Sequence, residues 1–182
     1  GKALRIDISI VLDQDRVRFE VRQVRGLSDR QEVLIDLPYR LGALNPGDDG
    51  GIILPRGAGV FVDTSPDRES CVLENLIYSG GQNGYSMPIY GTVSGGNILG
   101  TIIKTPFDCV LTGEINAGEP NIYATSPCWL FDGGRLEYPR RVDYAGFKGG
   151  HVELSKWYRS DLINDGCYKT LDEKAEGHPL VN

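Results

Sequence analysis

From Leu4 to Leu12 apolar and polar residues alternate. Leu4, Ile6, Ile8, Ile10 and Leu12 fall on one side, and Arg5, Asp7 and Ser9 on the other. A period of two with β-branched residues predicts a half-buried strand. Asp13-Gln14-Asp15 is a turn, after which Val17, Phe19 and Val21 alternate with Arg16, Arg18, Glu20 and Arg22. The chain is therefore expected to open on a β-hairpin with one face in a core and the other in water. On this reading Arg16, Arg18, Arg22 and Arg25 form the solvent face of the second strand.

The same kind of pattern continues. Strands are expected at 32–37 (ended by Pro38), 52–55, 60–62, 72–78, 85–90, 98–104, 109–115, 122–131 and 135–144. Gly-rich turns at 80–84, 95–97 and 132–134 separate several of them. Turn signals at this spacing indicate an all-β, antiparallel sandwich or barrel of about ten or eleven strands. After residue 150 the period changes. Leu154, Trp157, Tyr158 and Leu162 share one face of a helix. Gly166 stands where a C-terminal cap belongs. Thr170-Leu171-Asp172-Glu173 has the form of a capping box, so a second short helix is expected there, ended by Gly177 and Pro179. The expected division is a β-sandwich over 1–148 and a helical segment over 149–182.

Composition narrows the class. The 182 residues suit one domain with its own core. The 24 glycines follow no repeat and read as strand turns. A net charge of −6 disfavours a nucleic-acid surface. No stretch approaches about 18 consecutive apolar residues, so no membrane span is expected. The start Gly1-Lys2-Ala3-Leu4 shows no secretory leader, and the only Met is Met87. The chain is thus expected to be processed, or cut from something longer, and its compartment, cytoplasmic or secreted, is that of its parent. Cys71, Cys109, Cys128 and Cys167 are far apart and His151 and His178 are the only histidines, so neither a zinc site nor any other metal or cofactor is expected. Buried free thiols are the simplest expectation for the cysteines; one or two disulfides are the alternative.

Catalytic motifs are sparse. Gly42 to Gly59 is glycine-rich but has neither phosphate-loop spacing nor a helix after it. No G-x-S-x-G elbow occurs, and neither histidine lies in a strand to serve as a base. Asp108, Glu114, Glu119, Asp132 and Glu137 lie at strand ends or turns, and paired carboxylates can run glycoside hydrolysis, but sequence places no two of them together. Aromatic residues point more directly to a ligand. Tyr85, Tyr90, Tyr123, Trp129, Tyr138 and Tyr144 lie on expected strands, where most aromatics fill a core and an exposed one offers a flat face to a sugar ring. Trp129 and Tyr85, together with Asp132, are the candidate carbohydrate-binding residues; no catalytic residue is assigned.

Longer motifs carry a resemblance. They are Gly84-Tyr85-Ser86-Met87-Pro88-Ile89-Tyr90-Gly91, Ile98-Leu99-Gly100-Thr101-Ile102-Ile103, Arg135 to Tyr144, Val152-Glu153-Leu154-Ser155-Lys156-Trp157-Tyr158-Arg159 and Gly166-Cys167-Tyr168-Lys169-Thr170-Leu171-Asp172-Glu173-Lys174, with Gly51-Ile52-Ile53-Leu54-Pro55-Arg56-Gly57-Ala58-Gly59 upstream. Together, from about Leu34 onward, they resemble the N-terminal β-sandwich of large glycoside hydrolases and hydrolase-like bacterial proteins, in the α-N-acetylgalactosaminidase-like group. The resemblance implies a β-super-sandwich similar to the galactose mutarotase fold, whose C-terminal helices lead to a (β/α)₈ barrel that this chain lacks. Catalytic acids in such enzymes sit on barrel strands. The implied role is a non-catalytic support domain that docks a barrel and lines one wall of a sugar site. An apolar patch on the sandwich is then expected where the barrel would sit. An independent carbohydrate-binding module is the alternative, and a self-sufficient enzyme would need converging titratable groups in one pocket.

Overall fold

The alternation along the chain becomes eleven strands and two helices in the computed structural model, which describes residues 3–28, 30–37, 50–64, 69–78, 84–116 and 119–176. The strands are β1 (Arg5–Asp13), β2 (Arg16–Arg25), β3 (Glu32–Leu37), β4 (Gly50–Leu54), β5 (Val60–Asp63), β6 (Cys71–Leu76), β7 (Ile89–Ser94), β8 (Asn97–Ile103), β9 (Val110–Asn116), β10 (Glu119–Phe131) and β11 (Arg135–Lys148). The helices are α1 (His151–Asn164) and α2 (Leu171–Glu176). The expected glycine turn at 80–84 lies almost wholly outside the described residues, as do His178 and the expected helix-ending Gly177 and Pro179.

All named strand pairs are antiparallel and form one curled sheet in two layers. The wide layer runs β5-β4-β7-β8-β11-β2-β1 and the narrow layer β6-β9-β10-β3. β11 joins them. Its start pairs with β10 (Leu136 with Leu130), its later part with β8 (Val142 with Ile103), and its other edge with β2 (Val142 with Phe19). Between the layers Ile52, Leu54, Tyr90 and Ile103 meet Leu111, Ile115, Ile122 and Ala124. This is the expected sandwich, with eleven strands.

Local chemistry sets the turns. β7 and β8 are joined by Gly95 and Gly96 at φ 55° and 73°, the left-handed pair that a two-residue hairpin needs. The expected strand at 85–90 begins only at Ile89. Pro88 lacks an amide donor, and Tyr85 makes isolated bridges to Arg56 and Ile77 instead of joining a ladder. In the tail, the Thr170 hydroxyl accepts from the Glu173 amide at 3.2 Å and Glu173 accepts from the Thr170 amide at 2.7 Å, so the capping box forms as expected.

Helix α1 lies on the outer face of the wide layer. Leu154 and Trp157 pack on Ile53, Ile89, Ile98, Ile102 and Ala145. Glycines make room for it. Gly91 and Gly100 pair across β7 and β8, and a Cβ on Gly100 would stand 2.9 Å from Leu154 Cδ1 and 3.1 Å from Trp157 Cζ3.

An ion cluster fastens the same helix. Asp143 on β11, fully buried, takes Arg18 at 3.2 Å, Arg141 at 3.1 Å and Arg16 at 3.5 Å. Asp161 on α1 takes Arg16 and Lys104, both at 2.7 Å. Arg16 also lies 5.7 Å from the centre of the Trp157 ring, a cation–π distance. The expectation that the β2 arginines are all solvent-facing is thus corrected. Arg22 and Arg25 are exposed, whereas Arg16 and Arg18 are drawn inward because β11 and α1 bring two buried carboxylates beside them.

The first hairpin carries a second correction. Ile6, Ile8, Ile10 and Leu12 are 48% to 75% exposed, although they point toward the interlayer side. The narrow layer ends at β3, over β2, so the apolar face of β1 meets no opposing strand among the described residues.

Two outcomes test this account. Burial alone pushes the Asp143 carboxyl up, but hydrogen bonds from Arg141 and Arg18 outweigh it and hold the group below the usual aspartate range. A folded pKa below the unfolded one gives stability that is complete above the unfolded value of about 3.9 and is lost as pH falls through the folded value. Urea denaturation should therefore show Asp143→Asn about 3–5 kcal/mol less stable at neutral pH, with the deficit shrinking in acid. Gly100→Val should lift α1, cost about 1–3 kcal/mol and red-shift the tryptophan emission.

Candidate functional site

Strand β10 sorts its side chains by alternation. Ile122, Ala124, Ser126, Cys128 and Leu130 enter the core, while Tyr123, Thr125, Pro127, Trp129 and Phe131 face outward. Trp129 is 50% exposed and Phe131 is exposed beside it. Further along this face the Thr125 hydroxyl donates to Asp36 at 2.6 Å and the Tyr123 hydroxyl donates to Glu114 at 2.8 Å. The Glu114 hydrogen bond, with some burial, pushes the Tyr123 phenol up to about 12.

Two open depressions flank Trp129. One, of about 490 Å³, is lined by Arg30, Trp129, Phe131, Asp132 and Arg135. The other, of about 500 Å³, is lined by Trp129 with Glu32, Phe107, Asp108, Glu137 and Tyr138. The turn between β10 and β11 fixes the first. Gly133 and Gly134 take φ 78° and 77°, the Gln23 side chain donates to the Gly133 carbonyl at 2.6 Å, and a Cβ on Gly134 would run into the Val24 carbonyl. The turn is thereby pressed on β2, with Asp132 and Arg135 beside the indole. On the other side Tyr138 makes an edge-to-face contact with Phe107 at 5.1 Å, and its hydroxyl lies 3.3 Å from the carbonyls of Phe107 and Pro127. A flat apolar ring between carboxylates and guanidinium groups can stack a sugar face and hydrogen-bond its hydroxyls.

Of the three residues expected at a carbohydrate site, Trp129 and Asp132 come together and Tyr85 does not. Tyr85 is 1% exposed and its hydroxyl donates to the Leu73 carbonyl at 3.0 Å. Burial pushes its phenol up to about 12. Its two bridges place the ring in the interlayer core, so it offers no platform. Of the other lining residues, Tyr138, Asp108 and Glu137 stand among the aromatic and carboxylate candidates of the sequence, whereas Arg30, Phe107 and Arg135 carry no such signal. Phe107 lies far from Trp129 in sequence, and only the fold brings the two together.

Other candidate groups have other roles. Asp143 and Asp161 are engaged in the ion cluster, and Glu114 holds Tyr123. His151 opens α1 and lines a separate, mostly apolar depression of about 320 Å³ with Phe61 and Met87. The four cysteines are free: Cys109 and Cys128 are buried as expected, Cys71 is half-buried and Cys167 is exposed. Among the described residues no three His, Cys, Asp or Glu side chains are grouped to hold a metal ion, and no helix is long and apolar enough to cross a membrane.

These features define an antiparallel β-sandwich with a helix packed on one outer face and an aromatic surface on the other. The fold is shared with an α-N-acetylgalactosaminidase, NagBb from Bifidobacterium bifidum. Its Gal-NHAc-DNJ complex superposes with a TM-score of 0.72 at 19% identity over 96% of this chain. Its quadruple mutant gives 0.71 at 21% over 98%, and its ligand-free form 0.60 at 20% over 96%. The chain spans 28% to 33% of the length of those structures. No protein-family model and no curated sequence matches it.

The surface and core assignments separate by mutation. Trp129→Ala should leave stability within about 1 kcal/mol of the parent, since the ring is half in water. Tyr85→Phe should cost about 1 kcal/mol by taking the hydroxyl donor from the carbonyl of the half-buried Leu73. Urea denaturation reads both.

Proposed function

We propose that this chain is a non-catalytic accessory domain of a glycoside hydrolase. The observation that carries the reading is the fold match: nearly all of this chain superposes on less than a third of an α-N-acetylgalactosaminidase. No catalytic residue is assigned on this chain, so the chemistry is read as belonging to another part of such an enzyme. The proposed partner is a (β/α)₈ barrel of the same polypeptide, reached through the segment 149–182. Two features support a docking role. Helix α1 is anchored to the sandwich by Leu154, Trp157 and Asp161 and sets a fixed exit direction, and α2 beyond it buries none of its side chains. In addition, the apolar face of β1 is uncovered, as a domain taken from a larger assembly would leave it.

The Trp129 surface supports a second reading, a carbohydrate-binding face on the same domain, with Trp129 as platform and Asp132 as a polar contact. It is compatible with the first if the face borders the sugar site of the whole enzyme.

Two assays test these readings. The polypeptide that extends beyond residues 1–182 should hydrolyse an aryl N-acetyl-α-galactosaminide, and residues 1–182 alone should not. Absence of turnover by the longer protein across a panel of aryl glycosides would reject the hydrolase reading. In calorimetric titration of residues 1–182 with N-acetylgalactosamine, binding that Trp129→Ala weakens about tenfold, a loss of about 1.4 kcal/mol, would establish the carbohydrate face. No binding would remove it.

A further inference from the structure

The exposed face of β1 is one side of a groove. Ile6 pairs with Val24 and Ile8 with Val21, so the apolar side of β1 is continuous with that of β2. Over β2 the layer is closed, and Val21 and Val24 are buried with Val33 and Ile35 of β3 packed on them. Over β1 it is open. A groove of about 530 Å³ runs along this step, floored by Ile6, Ile8 and Val24 and walled by Val33, Leu34 and Ile35.

The wall is also an open sheet edge. β3 pairs with β10 from Glu32 to Leu37, and among the described residues no strand pairs with its other edge. Two unmet demands therefore meet at one place: apolar side chains in water, and a row of backbone groups without ladder partners. Only an extended chain satisfies both. Strands lie about 4.8 Å apart in a sheet and sheets about 10 Å apart face to face. A strand added beside β3 would thus lie over β1 as β3 lies over β2.

We propose that a β-strand of the same polypeptide, from outside residues 1–182, pairs with the free edge of β3 and packs on Ile6, Ile8 and Ile10. This rests on reading the chain as one part of a larger protein. The matched structures carry the sandwich on chains about three times as long, which makes the polypeptide itself the available source. The strand needs about six residues to match β3, alternately apolar toward β1. Its outward residues face the side that carries Glu32, the exposed Leu34 and Asp36 on β3, which favours lysine or arginine opposite the two carboxylates. A second copy of the domain suits the groove less well. Its edge strands come with a whole layer behind them, and the step is one strand wide.

Peptide-resolved alkylation of Ile8→Cys in the longer polypeptide tests this, together with hydrogen exchange of the β3 amides. Native labelling should be about a hundredfold slower than in denaturing urea, and the β3 amides should be protected on both edges. The same cysteine in monomeric residues 1–182 should label within about tenfold of the denatured rate. Fast labelling in the longer polypeptide overturns the proposal. So does slow labelling with fast-exchanging β3 amides, which means that a globular surface and not a strand covers the face. Protection in residues 1–182 that appears with dimerisation by light scattering also overturns it, in favour of a second copy. Hydrolytic activity is a separate readout, so an inactive protein with a protected β1 rejects the hydrolase reading and leaves the strand in place.

Discussion

β11 is the member on which the two layers depend. It runs for 14 residues and shares one edge between β10 and β8 while the other edge holds β2. Because β10 leaves that edge after Leu136 and β8 takes it from Val142, the sheet must curl there. The curl turns the alternating faces of β10 and β11 into a closed core on one side and two different surfaces on the other. Asp143 and Ala145 on β11 then receive α1, and Arg135 and Tyr138 on the same strand flank Trp129.

The outer surfaces differ in what they contain. On the wide layer Gly91 and Gly100 leave a hollow, and Leu154 and Trp157 fill it. Beside it, Asp143 and Asp161 concentrate charge that would be costly if unpaired, and arginines from β2 and β11 with Lys104 satisfy it. On the narrow layer no helix covers Trp129 among the described residues; Arg30, Asp132 and Arg135 lie on one side of it and the carboxylates of Glu32, Asp108 and Glu137 on the other. The buried glycines and ion cluster serve the fold, and the indole of Trp129 stays half in water.

Unequal layer widths account for the uncovered strand. Seven strands in one layer face four in the other. The alternation of β1 is as regular as that of any buried strand, so burial is written into its residues but not delivered by the other described residues.

Periodicity alone determined most of the fold. Period-two runs, glycine turns and the change of period at residue 150 specify eleven strands, the hairpins and both helices, since each depends on neighbours a few residues apart. The Thr170–Glu173 cap is legible for the same reason. What the sequence left open is what depends on distant neighbours. Tyr85 and Trp129 are both aromatic residues in β-rich sequence, yet one is buried through bridges to Arg56 and Ile77 and the other lies in water. Arg16 and Arg22 stand on one strand face, yet only Arg16 meets Asp161, 145 positions away. Alternation states which residues can share a face; only the packing of layers decides whether that face meets a core, a charge or solvent.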